Sequence, residues 1–242
     1  MEREQKTVIV TGASQGIGAG VVRAFLARGY NVVGTSRSAT KSKELTASAH
    51  LALVDGDIGR LETAENVAQT ALNRFGSIDA VVANAGIFSV KRFTDYTPED
   101  LRAFVSTNLA GFIYVTQLAV RQMQVQKSGG SVVAITAALV ENPIAGVPAS
   151  IPMITKGGLE AALRSLASEY AKERIRFNAV APGVVDTPLH AENPREFLET
   201  LSPMGSISTV DDIASAVVYV TEARQITGEI LHVDGGAHNG RW

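Results

Sequence analysis

Three glycines at the start of a helix carry the first chemical signal. Thr11-Gly12-Ala13-Ser14-Gln15-Gly16-Ile17-Gly18 follows a β-branched run and opens a helix-period segment. Glycines at such a junction allow a tight turn and close backbone approach, while the helix start offers unpaired N–H groups and a positive dipole end. The loop is therefore read as a pyrophosphate cradle, against the plainer alternative of a packing turn. Charge then bears on which dinucleotide fits. An acid about 20 residues past such a loop binds a ribose 2′-hydroxyl, whereas an arginine accommodates a 2′-phosphate. Here the stretch is Gly34-Thr35-Ser36-Arg37-Ser38, without an acid. Arg37 can pair with a phosphate bidentately, so NADP(H) is preferred over NAD(H). An ordinary solvated arginine is the competing view. The chain has no cysteine, and its four histidines show no ligand spacing, so neither a thiolate nor a metal site is expected.

These residues need elements to hold them. The runs 7–11, 31–35, 50–54, 79–83, 131–136, 175–180 and 229–233 read as strands, mostly apolar on both faces. Helix-period segments alternate with them at 17–28, 60–75, 98–125, 152–172 and 210–221. Thr97-Pro98-Glu99-Asp100 supplies a cap, a proline in the first turn and early acids. This alternation predicts a parallel sheet covered by helices on both sides, with ligands at the carboxyl edge. No linker divides residues 1–242, which are read as one domain. The least regular stretches, about 137–151 and 184–209, follow strands and are read as substrate loops.

Several short motifs, in order, give the chain a resemblance to the short-chain dehydrogenase/reductase family over nearly its whole length. Thr11-Gly12-x3-Gly16-x-Gly18 matches the family's cofactor loop. Asp57-Ile58 is similar to its adenine-contacting pair, and Asn84-Ala85-Gly86 to its Asn-Ala-Gly element, with Ala83 where a further Asn is usual. Asn108 matches its active-site Asn. Asn178-Ala179-Val180-x-Pro182-Gly183, followed by Val185 and Thr187, matches the segment that holds the nicotinamide carboxamide, and Val233-Asp234-Gly235-Gly236 the C-terminal signature. The resemblance implies a Rossmann-type doubly wound α/β domain of about seven strands. Its implied cofactor contacts are Gly12, Ser14, Gln15, Gly16, Ile17, Gly18, Asp57, Ile58, Asn84, Ala85, Gly86, Lys156, Pro182, Gly183, Val185 and Thr187, with Arg37 added from charge. It also implies a homotetramer or dimer, paired through the helices near 98–125 and 152–172. The several apolar faces of 152–172 agree with that.

The proton-transfer residues depart from that pattern. The family uses Ser, Tyr and Lys, with Tyr four residues before the Lys that binds the nicotinamide ribose. Here the Lys is Lys156, and four residues before it stands Pro152. No Tyr lies between Tyr114 and Tyr170, and no Ser between Ser131 and Ser150. The usual Ser position falls at Leu139, leaving Thr136 as the nearest hydroxyl on the strand end. Ser150 is expected to cap the helix and to place Pro152 in its first turn, where a missing N–H is not felt. Lys156, Asn108 and Thr136 remain as the catalytic candidates. Ser150, Thr155, Asp186, Thr187 and His190 are other polar groups near the expected pocket. Glu141 and Asp186 read as surface acids, and His232 and His238 as too distant.

The resulting expectation is an NADP(H)-dependent oxidoreductase. It passes a hydride between the nicotinamide and a small carbonyl or imine-type substrate by an atypical proton route. A catalytically impaired NADP(H)-binding sensor or scaffold is the alternative. Lys plus Arg is 22 and Asp plus Glu 24, a net charge of −2, which gives no pull toward nucleic acid or an anionic membrane. Apolar residues make up 45% and charged residues 19%, a globular composition with no uninterrupted 18-residue apolar window. The amino-terminal stretch carries no signal-length apolar run, so a cytoplasmic protein is expected. Phe88, Phe93, Leu139, Val140, Ile144, Met153, Leu189 and Phe197 are candidate pocket walls.

Overall fold

The computed structural model describes residues 5–240; the amino-terminal reading above rests partly on residues 1–4, outside that range. Seven parallel strands form one sheet: β1 (Thr7–Thr11), β2 (Asn31–Ser36), β3 (Leu51–Asp55), β4 (Ala80–Ala83), β5 (Gly130–Ile135), β6 (Ile175–Pro182) and β7 (Ile230–Val233). Their spatial order is β3-β2-β1-β4-β5-β6-β7. The order reverses between β1 and β4, so the crevice at their carboxyl ends is the expected ligand position.

Two helical layers cover the sheet. On one side lie α1 (Gly16–Ala27) and, later in the chain, α7 (Val210–Glu222). Phe25, fully buried, Ile213 and Val217 seal that layer against Val8, Val10 and Val133. On the other side lie α2 (Leu61–Phe75), α4 (Gly111–Gln126) and α5 (Ser150–Glu169). Val67, Val115 and Leu163 there meet Ile9, Val81 and Phe177. Each such side chain contributes roughly 1.5–3 kcal/mol by leaving water. Because both faces are buried, the strands read as continuous apolar runs rather than alternating ones.

The elements expected from pattern are present, with boundaries moved by one to three residues. The stretch 98–125 is compound: α3 (Pro98–Phe104), a π-helical segment over Val105–Ala110, then α4. Its start carries the full capping box, Thr97 accepting from Asp100 N–H and Asp100 from Thr97 N–H. The combined helix Pro98–Gln126 is long and apolar enough to span a membrane by length and composition. Here Phe112, Val115, Ala119 and Met123 of that helix are buried in the core with β4, β5 and α2, while Leu101, Val105 and Ile113 are exposed. A short helix, α6 (Arg195–Glu199), lies within the 184–209 stretch.

Helix α5 corrects one expectation. It begins at Ser150, two residues earlier than read, with Ala149 as its N-cap. Ser150 is therefore the first helical residue, and its buried hydroxyl has no hydrogen-bond partner among the described residues. Ala149 already makes the turn into the helix, so Ser150 is inside the helix rather than before it. Pro152 still falls in the first turn, where its missing N–H costs nothing.

Candidate functional site

The glycine loop is assembled by close contacts that leave no room for a side chain at Gly12 or Gly18. Gly12 has a left-handed φ of +66°, and a Cβ on Gly18 would lie 2.1 Å from the Gly12 carbonyl oxygen. Asn84 secures the loop from the end of β4: its Nδ2 donates to Thr11 O (2.9 Å) and Gly12 O (3.1 Å). Thr11 Oγ1 in turn accepts from Asn84 N–H (3.1 Å) and Ala85 N–H (2.9 Å). Asn84 and Ala85 are thus brought to the loop as its braces. The opposite wall is the segment after β6, where Thr187 and Pro188 lie over Gly16. Buried Pro182 ends β6, and Gly183 N–H donates to Val233 O at 3.1 Å. Val185 is buried and pairs with Ser208, and Thr187 Oγ1 donates to Val185 O. These contacts leave Ser14, Gln15, Gly16 and Ile17 at the start of α1, in an open cradle matched to a dinucleotide phosphate.

At the far end of the cradle a cleft of about 350 Å³ is lined by Ser14, Gln15, Ser38, Lys41, Ser42, Lys43, Glu44 and Pro188. Arg37, just outside it, is exposed and has no ion-pair partner among the described residues. Sequence reading missed Glu44, whose carboxylate accepts from Gly16 N–H (3.2 Å) and pairs with Arg23 at 2.9 Å. Nothing in its local pattern marks a contact 28 residues back. Asp57 is exposed and accepts from Gly59 N–H (3.0 Å), while Ile58 turns its side chain into the core against Gly111. Only the backbone of Ile58 is left to meet a ligand.

The other end is built from side chains. Asn108 sits in the π-helical segment, 1% exposed. Its Oδ1 accepts from Ile87 N–H (2.8 Å), and its Nδ2 donates to Ile87 O (3.2 Å) and Thr155 Oγ1 (3.0 Å). Thr155 Oγ1 donates to Pro152 O at 2.8 Å. The amide thus ties the loop after β4 to the first turn of α5. Lys156 Nζ donates to Ile135 O (2.6 Å). A Cβ on Gly86 would lie 3.0 Å from that nitrogen and 3.4 Å from Asn108 Oδ1, so Gly86, Asn108 and Lys156 converge on one spot. Burial holds the Lys156 ammonium down at about 8, offset in part by the charge of Glu160. A buried lysine of that kind is a proton donor or acceptor near neutral pH.

The remaining candidates separate by position. Thr136 is 4% exposed, its N–H donating to Val180 O, and its hydroxyl has no hydrogen-bond partner among the described residues. Asp186 is exposed and pairs with Arg195 at 3.2 Å, and burial lowers the His190 imidazole. The two histidines read as distant from the pocket lie beside the 137–151 stretch. His232 Nε2 lies 3.5 Å from Glu141 Oε2, and its ring stacks on His238 with centroids 3.9 Å apart. Parallel pairing of β7 with β6 brings them beside the 137–151 stretch, and Glu141, read as a simple surface acid, links to both His232 and Arg164. The described residues hold no group of His, Cys, Asp and Glu fit for a metal.

The switch-point crevice and glycine loop define a Rossmann-type, doubly wound α/β protein of the kind that carries dinucleotide sites. A family model described as enoyl-(acyl carrier protein) reductase matches residues 12–238. The chain is 34% identical over 247 residues to L-rhamnose 1-dehydrogenase (NAD(P)(+)) of Azotobacter vinelandii, covering 96% of each. Among solved structures, 3-ketoacyl-(acyl-carrier-protein) reductase from Brucella melitensis complexed with NADH superposes with a TM-score of 0.90 at 26% identity, covering 97% of this chain and 99% of that one. ElxO with NADP bound superposes with a TM-score of 0.88 at 26% identity, with the same coverage. The chain belongs to the short-chain dehydrogenase/reductase family, and these relatives are oxidoreductases of nicotinamide cofactors.

Proposed function

We propose that this protein is an NADP(H)-dependent oxidoreductase acting on a small carbonyl or imine-type substrate, with Lys156 supplying the proton that a tyrosine supplies elsewhere in the family. The carrying observation is the first turn of α5, where Pro152 stands one helical turn before Lys156 and offers no side-chain hydrogen. Leu139 stands where the family's Ser is usual. On this reading the chain is an atypical member whose cofactor half is complete and whose acid has changed. Tyr96, in the 88–96 segment, already spends its hydroxyl on Ser89 O at 3.0 Å.

The residues present fit a dinucleotide, because Gly12 and Gly18 have no room for a Cβ, Gly16 holds a left-handed φ of +55°, and Gly86 leaves an opening beside Lys156. Gly12, Ser14, Gln15, Gly16, Ile17 and Gly18 would hold the pyrophosphate end, with Asp57 and Ile58 at the adenine. Asn84, Ala85, Gly86, Pro182, Gly183, Val185 and Thr187 would frame the nicotinamide half. Arg37, exposed without an ion-pair partner, would meet a 2′-phosphate, which supports NADP(H) over NAD(H). The bound cofactor supplies or accepts the hydride. In reduction, Lys156 ammonium donates to the developing alkoxide and becomes a neutral amine, a change favoured by its depressed affinity for protons. Asn108 positions the loop after β4 against Lys156. The stretches 137–151 and 184–209 would close over the substrate. An already cationic imine needs no acid, so it is the substrate type least affected by Pro152.

The fused helix Pro98–Gln126 and α5 expose Leu101, Val105, Ile113 and Ile154, which supports assembly as a dimer or tetramer. Composition supports a cytoplasmic setting without nucleic-acid partners. A second reading, an NADP(H)-binding sensor without turnover, is favoured by one observation: Thr155 is spent on Pro152 O, so this turn presents no free hydroxyl. Calorimetry with NADPH, followed by cofactor oxidation across ketone and imine panels, separates the two. Binding with turnover is the expected result. Binding without turnover, with activity appearing only in Pro152→Tyr/Leu139→Ser, establishes the sensor. No heat with either dinucleotide overturns both.

A further inference from the structure

An anion of the chain itself already stands at the start of the cradle. Helix α1 begins without an acid in its first turn, and Gln15 before it makes no side-chain cap. Its first N–H groups are therefore open to a negative partner from elsewhere. Glu44 supplies one. Its Oε1 accepts from Gly16 N–H at 3.2 Å, and its Oε2 accepts from Arg23 of the same helix at 2.9 Å. Both carboxylate oxygens are thus engaged at the helix start, where the proposed function places the pyrophosphate. Two anions at one N–H repel each other, so one must leave when the other arrives.

The segment that carries Glu44 is held at both ends. Thr40 N–H and Oγ1 donate to the two carboxylate oxygens of Asp55 at the end of β3 (2.8 and 2.6 Å). Leu45 is buried in the layer of α1 and α7. Between these anchors, Ser42 Oγ donates to Ser14 O at 2.7 Å and accepts from Glu44 N–H and Leu45 N–H at 3.2 Å each. The backbone over 40–45 is thereby fastened to the glycine loop. The Glu44 side chain remains 37% exposed and can turn to water about its own bonds. Pro188 lines the same cleft, and Thr187 lies over Gly16 from that side. A phosphate that reaches Gly16 N–H meets the Glu44 carboxylate there.

We infer that Glu44 is a built-in occupant of the cofactor cradle: its carboxylate closes Gly16 N–H in the empty protein and gives way to the dinucleotide. This rests on the proposed dinucleotide site. Arg23 holds the carboxylate in the closed position, and Ser42 fixes the backbone from which it turns. Closure gives the empty helix start an anion to complement its dipole. It also costs affinity, because a binding-competent state populated about one-tenth of the time weakens apparent affinity about 10-fold.

The test is calorimetry of the full chain with NADPH, on wild type, Glu44→Ala, Arg23→Met and the double variant. Glu44→Ala should bind NADPH about 10-fold more tightly. Arg23→Met should bind it about 3-fold more tightly, as the loss of an exposed ion pair allows. The double variant should gain no more than Glu44→Ala alone, because the two residues act as a pair. Arg23→Met separates closure from charge. Removing a positive charge weakens anion binding if charge alone matters, and strengthens it if the arginine keeps Glu44 closed. A merely structural role for Glu44 at the helix start leaves NADPH affinity unchanged or lowers it. Where wild type binds NADPH, affinity unchanged or weaker in either single variant overturns the inference. Binding by Glu44→Ala where wild type shows no heat supports it, as a tighter closure. No heat with either dinucleotide in any of these proteins defeats the dinucleotide site itself, and the inference with it. Hydrogen exchange at the Gly16 amide of the cofactor-free protein reads the contact directly. It should be slower in wild type than in Glu44→Ala, and equal rates overturn the inference.

Discussion

The two ends of the crevice are built from different materials. The glycine end is backbone: turns, carbonyls and amides, braced by Asn84 and Thr11, with close contacts that forbid side chains. The Lys156 end is side chains: an amide, a threonine and a buried amine whose contacts run across four segments of the chain. Backbone geometry tolerates little change, because a Cβ at Gly12 or Gly18 collides and Gly16 holds a left-handed φ. A side-chain site can lose one group and pass its task to a neighbour. On the proposed function, that difference accounts for a glycine loop that keeps the family pattern beside a proton-transfer site that departs from it.

The largest test of this contrast is Gly18→Val. Its Cβ would press on Gly12 O and Asn84 Nδ2, so NADPH affinity in calorimetry should fall by about 10³-fold or the fold should weaken in urea. Retained affinity would show that the loop is not the cradle.

Lys156→Met probes the other end and should do the opposite to stability. Turnover should fall by about 10²-fold or more. The folded-state proton affinity of Lys156, about 8, lies below the ordinary 10.5, so the unfolded chain binds more protons between those values. Wild-type stability therefore rises as pH climbs through that window, and the charge penalty is complete below about pH 8. Methionine removes the penalty, so the variant should be more stable at pH 7 by up to about 3 kcal/mol, less about 1 kcal/mol for the lost bond to Ile135 O. The advantage should vanish near pH 10.5 in urea titrations. A variant less stable at pH 7 would mean the ammonium is better satisfied than its burial implies.

Arg37→Glu sharpens the cofactor end. Replacing a phosphate partner with an acid suited to a ribose 2′-hydroxyl should shift the NADPH-to-NADH affinity ratio by about 10-fold or more toward NADH. An unchanged ratio would return Arg37 to the solvated surface.

The smallest effect belongs to neither end. Thr97→Ala removes the capping box of α3 and should cost about 1 kcal/mol in unfolding without altering NADPH affinity. A change in affinity would show that the π-helical segment carrying Asn108 depends on that helix start.

Much of this was legible in the residues alone. The alternation of β-branched runs with helix-period segments determined a doubly wound parallel sheet, because burial on both faces leaves a pattern within each strand. The spacing of Gly12, Gly16 and Gly18 marked the tight turn into α1, since a local turn is encoded locally. Pro152 before Lys156 was equally plain, four residues apart on one helix. Tertiary structure alone decided what meets across the sheet. It set Glu44 on Gly16, and His232, stacked on His238, beside Glu141, and it moved the start of α5 so that Ser150 caps nothing. The physical reason is range. Periodicity and capping act within a few residues, whereas these contacts join segments distant in sequence, brought together by strand order and register.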